Sequence, residues 1–304
     1  MGSLRVTQGM IVARSLSDLN RQTRRLLELQ EQLATGLKVN SPSDDPLAAR
    51  RAVNIRSVIA KQEQYITNIS SAGPLLAESG TSLQTVVSVL QRANELTLQG
   101  ANGTSSQTQM NALAIEVNQL IEATLTEANH QTNGRYVFGG TRTLDAPFVA
   151  TRDAEGQITA VTYQGNDEAI EIGVTDGISV QINETGQHAF LSGQNVFQTI
   201  IDIRDNLLSG DKTSLQTDRL TELGDAQDQL LISMAAMGAT QNRLETLTTN
   251  TEASVDQLRV TLSDNIDADY AETVVNLNAQ SNAYRAALEA AARVIQPSLL
   301  DFIS

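Results

Sequence analysis

The chain has no cysteine and no tryptophan, only two histidines, and five prolines among 304 residues. Without cysteine there can be no disulfide, no thiolate zinc site and no thiol nucleophile. With His130 and His188 as the sole imidazoles, histidine-based metal or triad chemistry has little to draw on. No apolar run approaches the roughly eighteen residues of a membrane span, and no secretory signal pattern is visible. Gly139-Gly140 is followed by no phosphate-loop lysine and reads as a tight turn. Asp44-Asp45, beside Pro46, reads as a pair of helix caps rather than catalytic carboxylates. Asp264, Asp267, Asp269 and Glu272 lack the turn glycine of a calcium loop. Asp269 with Glu272 three residues on fits a helix start better. No enzyme activity, no cofactor and no metal are expected.

What is present is charge of one sign, unevenly spread. The formal net charge is −14, yet residues 1–60 hold nine basic and five acidic side chains. Arg14, Arg21, Arg24 and Arg25 alternate with leucines, and no aromatic precedes Tyr65 on which a base could stack. Nucleic acid is therefore not an expected partner, nor is a membrane. Residues 252–304 carry eight acids against three arginines. The simplest counterpart of the basic start is this chain's own tail, or that of a neighbouring copy.

Hydrophobic periodicity predicts three long helical stretches. Leu16, Leu19, Leu26, Leu33 and Leu37 form a seam that ends at Gly36, ahead of Ser41-Pro42-Ser43-Asp44-Asp45-Pro46. Ile55, Ile69, Leu76, Leu83 and Leu90 define a second helix, where Pro74 should kink or split it. Gly100-Ala101-Asn102-Gly103-Thr104 turns the chain into a returning helix through Met110, Leu113, Val117, Leu120 and Thr124. The last third shows a seam from Leu230 through Met237, Leu244 and Val255 to Leu262. A final helix follows through Tyr270, Val274, Leu277, Tyr284, Leu288, Ala291 and Ile295, with Pro297 as its stop. Between them the aromatics gather: Tyr136, Phe138, Phe148, Tyr163, Phe190 and Phe197. Residues 158–163, 169–172 and 178–182 alternate as strands around turns at Gly156, Gly165-Asn166 and Asp176-Gly177. The prediction is a mainly α protein with a small β insertion in an elongated helical rod.

Several segments together resemble the flagellin superfamily. They are Leu90-Gln91-Arg92-Ala93-Asn94-Glu95-Leu96 with Ala101-Asn102-Gly103-Thr104, Gly238-Ala239-Thr240-Gln241-Asn242-Arg243-Leu244-Glu245, and Ile266-Asp267-Ala268-Asp269-Tyr270-Ala271-Glu272. The resemblance covers about residues 5–140 and 195–304. Ser41-Pro42-Ser43-Asp44-Asp45-Pro46 stands where flagellins usually carry a Lys-Asp-Asp-Ala-type motif. Arg135-Tyr136-Val137-Phe138-Gly139-Gly140-Thr141, Pro147-Phe148 and Tyr163-Gln164-Gly165-Asn166 fit the hook–filament junction members, of the hook-associated protein three type.

The resemblance implies a flagellin-like rod with paired N- and C-terminal coiled-coil helices. Its expected layers are 1–42 with 262–304, 43–138 with 192–261, and a β domain at 139–191. It also implies a structural subunit of the bacterial flagellum, placed outside the cell at the hook–filament junction and exported by the type III route without a cleaved signal peptide. The implied partners are further copies of itself in a ring, hook-associated protein one, flagellin and the filament cap. An export chaperone would shield the C-terminal region. The candidate assembly seam is Leu16, Leu19, Leu26 and Leu33 with Tyr270, Val274, Leu277, Tyr284, Leu288 and Ile295. Alternatives are a short flagellin of the filament itself and a secreted coiled-coil adhesin or tip protein.

Overall fold

The computed structural model describes residues 8–295, with the backbone alone at Gln8, Val294 and Ile295. Pro297 lies outside the described residues. Its elements are α1 (Gln8–Thr35), α2 (Pro46–Ala101), α3 (Gln107–Ala128), β1 (Gln131–Thr132), β2 (Arg135–Tyr136), β3 (Phe148–Arg152), β4 (Ile158–Tyr163), β5 (Glu171–Thr175) and β6 (Ile178–Gln181). There follow α4 (Gly186–Leu191), α5 (Val196–Ser209), α6 (Lys212–Ser214), a π turn at Leu215–Arg219, α7 (Leu220–Ile266) and α8 (Tyr270–Ile295). Two compact units divide the chain: residues 62–253, and residues 1–61 with 254–304.

Residues 62–253 hold the core. Along α2, Ile69, Leu76, Leu83 and Leu90 are buried at seven-residue intervals, with Ala72, Val86 and Ala93 between them. The split expected at Pro74 does not occur, and α2 runs through it as one 56-residue helix. An interior proline costs about 3 kcal/mol, whereas each leucine buried on the adjoining turns contributes about 1.5–3 kcal/mol. Burial wins. The turn after Ala101 leads into α3 through a capping box, in which Ser106 and Gln109 satisfy each other's backbone amides. Met110, Leu113, Ala114, Val117 and Ile121 then line the inner face of α3, so Ile121 rather than the half-buried Leu120 takes the sealed slot.

The β insertion is three two-stranded antiparallel hairpins, β1–β2, β3–β4 and β5–β6. The sequence reading missed β1–β2 and β3. In the first hairpin, Asn133 and Gly134 both take positive φ (51° and 74°), the pair a type I′ turn demands. Phe148 stands opposite Tyr163 in β3–β4, and Ile172 opposite Val180 in β5–β6. Beneath the hairpins four phenylalanines interlock. Phe138 meets Phe190 edge-on at 5.3 Å, and Phe148 lies 5.2 Å from Phe190 and 5.1 Å from Phe197. Gly186 passes so near this group that a Cβ there would sit 2.7 Å from the Phe148 ring.

Helix α5 packs on α3 and brings Ile200, Ile201, Ile203 and Leu207 into the same core. The buried Arg204 guanidinium is satisfied by the Ile158 carbonyl at 2.6 Å and by Asp205 at 2.8 Å. At the π turn Arg219 bridges Asp202 (2.7 Å) and Glu222 (2.6 Å). Burial raises the Glu222 carboxyl above its ordinary range against the pull of Arg219.

In the other unit, α1 ends where Gly36 adopts a left-handed φ of 74°. Asp45 caps α2, its Oδ1 accepting the amides of Leu47 and Ala48 at 2.9 Å, with Pro46 in the first helical position. Asp44 braces the approach by accepting the amides of Asn40 and Ser41. Asp269 caps α8 through the amide of Glu272 at 3.0 Å. Asp44, Asp45 and Asp269 are thus occupied with backbone amides, and Asp267 accepts the Ser263 hydroxyl.

Candidate assembly interface

Both chain ends meet in one antiparallel helical pair. The Lys38 amide donates to the Ile266 carbonyl at 2.7 Å, and the Ala268 amide to the Gly36 carbonyl at 2.8 Å. Leu37 and Asp267 form an isolated antiparallel bridge, and Lys38 Nζ reaches the Asp264 carbonyl at 2.8 Å. From this tie α1 runs against α8, and further along Gln280 Nε2 donates to the Gln22 carbonyl at 3.3 Å.

The inward positions of α1 are Val12, Ser15, Leu19, Gln22, Leu26, Leu29 and Leu33, alternating in steps of three and four. Those of α8 are Thr273, Leu277, Gln280, Tyr284, Ala287 and Ala291, with the same alternation. Of the candidate seam, Leu19, Leu26, Leu33, Val274, Leu277 and Tyr284 are partly buried. Leu16 is 51 % exposed, Tyr270 69 % and Leu288 43 %. Ile295 belongs to α8, but its side chain lies outside the described residues. Sequence reasoning missed Leu29, the only buried α1 side chain among the described residues, and Thr273 at the start of α8. The available signal was the spacing itself: slots 15, 22 and 29 complete the heptad of Leu19, Leu26 and Leu33, whereas 16, 23 and 30 lie one residue off.

The resulting seam is interrupted by polar residues. Ser15, Gln22, Thr273 and Gln280 occupy places that a self-sufficient coiled coil fills with leucine or isoleucine. Gln22 Oε1 is buried without a hydrogen-bond partner among the described residues. Meanwhile Met10, Ile11, Leu16 and Leu27 on α1, and Tyr270, Val275 and Leu288 on α8, face outward. Among the described residues, the basic stretch does not pair with acidic side chains of α8. Arg21 bonds to Asp18 on its own helix, and Arg24 and Arg25 have no ion-pair partner among the described residues. These arginines line a groove of about 660 Å³ with Gln22, Glu28 and Gln280. Among the described residues no helix is long and apolar enough to cross a membrane.

Comparison with known proteins agrees with this architecture. Residues 7–143 match the family described as the bacterial flagellin N-terminal helical region. Flagellar hook-associated protein 3 of Escherichia coli is 26 % identical over 312 residues, covering 94 % of this chain and 96 % of that protein. Its counterpart in Salmonella typhimurium is 29 % identical over 190 residues, a match that spans 62 % of this chain and 57 % of the Salmonella protein's length. Among solved structures, FlgL of Bacillus cereus is 27 % identical with a TM-score of 0.58, over 69 % of this chain and 99 % of that one. Residues 7–143 thus carry a flagellin-type N-terminal helical region, and these likenesses support a structural subunit of the bacterial flagellum. The relatives and the solved structure that it resembles carry the names flagellar hook-associated protein 3 and FlgL.

Proposed function

We propose that this chain forms a ring of copies at the junction of hook and filament, and that α1 and α8 complete their packing only against neighbouring copies. The observation that carries this reading is the polar-interrupted seam with its outward leucines. A two-helix pair with glutamine and serine in its slots gains too little from burial to offset the ordering of two long helices. Neighbours that cover Leu16, Leu27, Tyr270 and Leu288 supply the missing apolar area. A head-to-tail arrangement of such copies is heterologous and follows the symmetry of the tube it joins.

In this reading residues 1–42 with 262–304 form the terminal layer, 43–138 with 192–261 the rod, and 139–191 the β domain. All ten candidate seam residues act in assembly: Leu19, Leu26, Leu33, Val274, Leu277 and Tyr284 within the pair, and Leu16, Tyr270, Leu288 and Ile295 toward neighbours. The hook side meets hook-associated protein one, and the far side meets flagellin and the filament cap. A chain without disulfides, whose ends pair weakly, suits type III export through a narrow conduit, with a chaperone holding the C-terminal region beforehand. The subunit then works outside the cell.

Deletion of the gene, followed by microscopy and complementation, tests the reading. The expected result is hooks without filaments and unassembled flagellin in the medium, corrected by the wild-type gene and not by Leu26→Asp. Normal swimming with Leu26→Asp, at wild-type protein levels, would refute the seam.

A further inference from the structure

A second surface, within the unit of residues 62–253, also lacks its complement. Asp225, Asp228 and Ile232 stand on one face of α7 at successive spacings of three and four residues. With Gln229 and Ser233 they line a depression of about 490 Å³. Neither carboxylate has an ion-pair or hydrogen-bond partner among the described residues. Ile232 is 66 % exposed. Gln229 is already engaged, its Oε1 accepting the amides of Gly193 and Gln194 at 2.9 Å and its Nε2 donating to Ala189, so it holds the wall rather than offering a free group.

Ser233 is the independent sign of a ligand. It is wholly buried, lines the depression, and its hydroxyl has no partner among the described residues. Serine inside a helix ordinarily returns its hydroxyl to the carbonyl four residues back, as Ser79 does toward Leu75 at 2.8 Å. Ser233 does not. Two free carboxylates, an orphaned hydroxyl and an exposed isoleucine are together the negative image of a guanidinium on an apolar support.

The same chain carries that positive image on α2. Leu47, Arg50, Arg51, Asn54 and Val58 fall on one helix face, every one of them exposed. Leu47 is 57 % exposed, and Arg50 and Arg51 have no ion-pair partner among the described residues. No acidic residue occurs between Pro46 and Gln62, so nothing on this stretch competes for the two guanidinium groups. Arg24 and Arg25 are less suited, because Asp18 and Glu28 share their groove.

We propose that the α7 depression is a docking site for a second copy of this chain. The α2 face of the neighbour sets Arg50 or Arg51 between Asp225 and Asp228, within reach of the Ser233 hydroxyl, while Leu47 covers Ile232. This rests on the assembly reading above but adds a contact that the paired terminal helices do not supply. The charges fix which faces meet, and the apolar residues exclude water from them.

The absence of native cysteine makes the test clean. In flagella assembled from the Leu47→Cys/Ile232→Cys double variant, oxidation should yield a covalent ladder at multiples of 32.7 kDa. Either single variant should yield nothing beyond a dimer. Flagella that carry the double variant, with both thiols open to maleimide, yet give no ladder would overturn the proposal. A second measurement does not depend on cysteine. Asp225→Arg/Asp228→Arg and Arg50→Asp/Arg51→Asp should each lower incorporation about tenfold or more, and their combination should recover most of it. Two soluble, folded parents whose combination shows no recovery would equally overturn it. A wild-type chain absent from isolated flagella would instead defeat the assembly reading on which both contacts rest.

Discussion

Leu83 and Leu26 occupy comparable heptad places in long helices, yet Leu83 is sealed from solvent and Leu26 is only half covered. The difference lies in who provides the cover. Around Leu83 the same chain supplies α3, α5, the hairpins and a cluster of phenylalanine rings. Around Leu26 it supplies α8 and little else. In the unit formed by the chain ends, the buried apolar residues among those described are Leu29, Ala48, Ala52, Ile59, Val255, Ile266 and Ala291, and three of these are alanines. An apolar stripe therefore states that a helix face needs a partner. It does not state whether that partner lies within the chain.

The contrast can be broken experimentally at its strong end first. Phe190→Ala should cost about 3–5 kcal/mol in urea unfolding of the isolated subunit, since Phe190 touches three other rings in a closed core. A loss below about 1 kcal/mol would mean that the hairpins are not cemented to the helices. Arg204→Ala should cost about 1–3 kcal/mol, because the Ile158 carbonyl and Asp205 lose their shared partner. Leu16→Ser, by comparison, should move the unfolding midpoint by no more than about 0.5 kcal/mol while sharply reducing incorporation into flagella. Equal loss in both assays would place Leu16 inside the subunit's own packing. Amide exchange gives a sharper view of the same difference: residues 83–96 should be protected to the level of global unfolding, and residues 10–35 and 270–293 far less.

The smallest effect concerns an ion pair between α3 and β3. Arg152 hydrogen-bonds Glu122, at 2.8 Å through Nη2, and lowers its carboxyl below the ordinary range. A carboxylate depressed in the folded state stabilises above its unfolded pKa of about 4.5, and that contribution fades as pH falls through the folded value. Because both side chains are about one-third or more exposed, screening should hold the contribution under about 1 kcal/mol. Glu122→Gln should therefore lower neutral stability by less than about 1 kcal/mol, leave stability at low pH unchanged, and so flatten the acid limb slightly.

Much of this fold could be read directly from residue patterns. Seven-residue steps from Ile69 to Leu90, the Gly100–Thr104 turn and the β character around residues 158–182 all lie where the structure has them. At Pro74 the helix continues rather than splits, because the turns on either side are anchored in the core. Hairpin β1–β2 was missed because two-residue strands carry no periodicity, leaving Asn133-Gly134 as its only cue. The terminal seam was legible to within one residue. Ranking positions by greasiness favours Leu16, Tyr270 and Leu288, whereas α1 and α8 turn Ser15, Gln22, Thr273 and Ala287 toward each other. Ser233 and its unpaired carboxylates carried no signal, since an orphaned hydroxyl is defined only by what surrounds it in space.

The bridge between Leu37 and Asp267 has a kinetic consequence. It staples together two stretches that are 230 residues apart along the chain, so their helices need no long search to find one another. Pairing that proceeds outward from that staple should meet leucines first on α1, with Gln22 and Ser15 entering only further along. A subunit arriving at the growing structure thus presents its correct register at the base, and its free tips are the last part to commit.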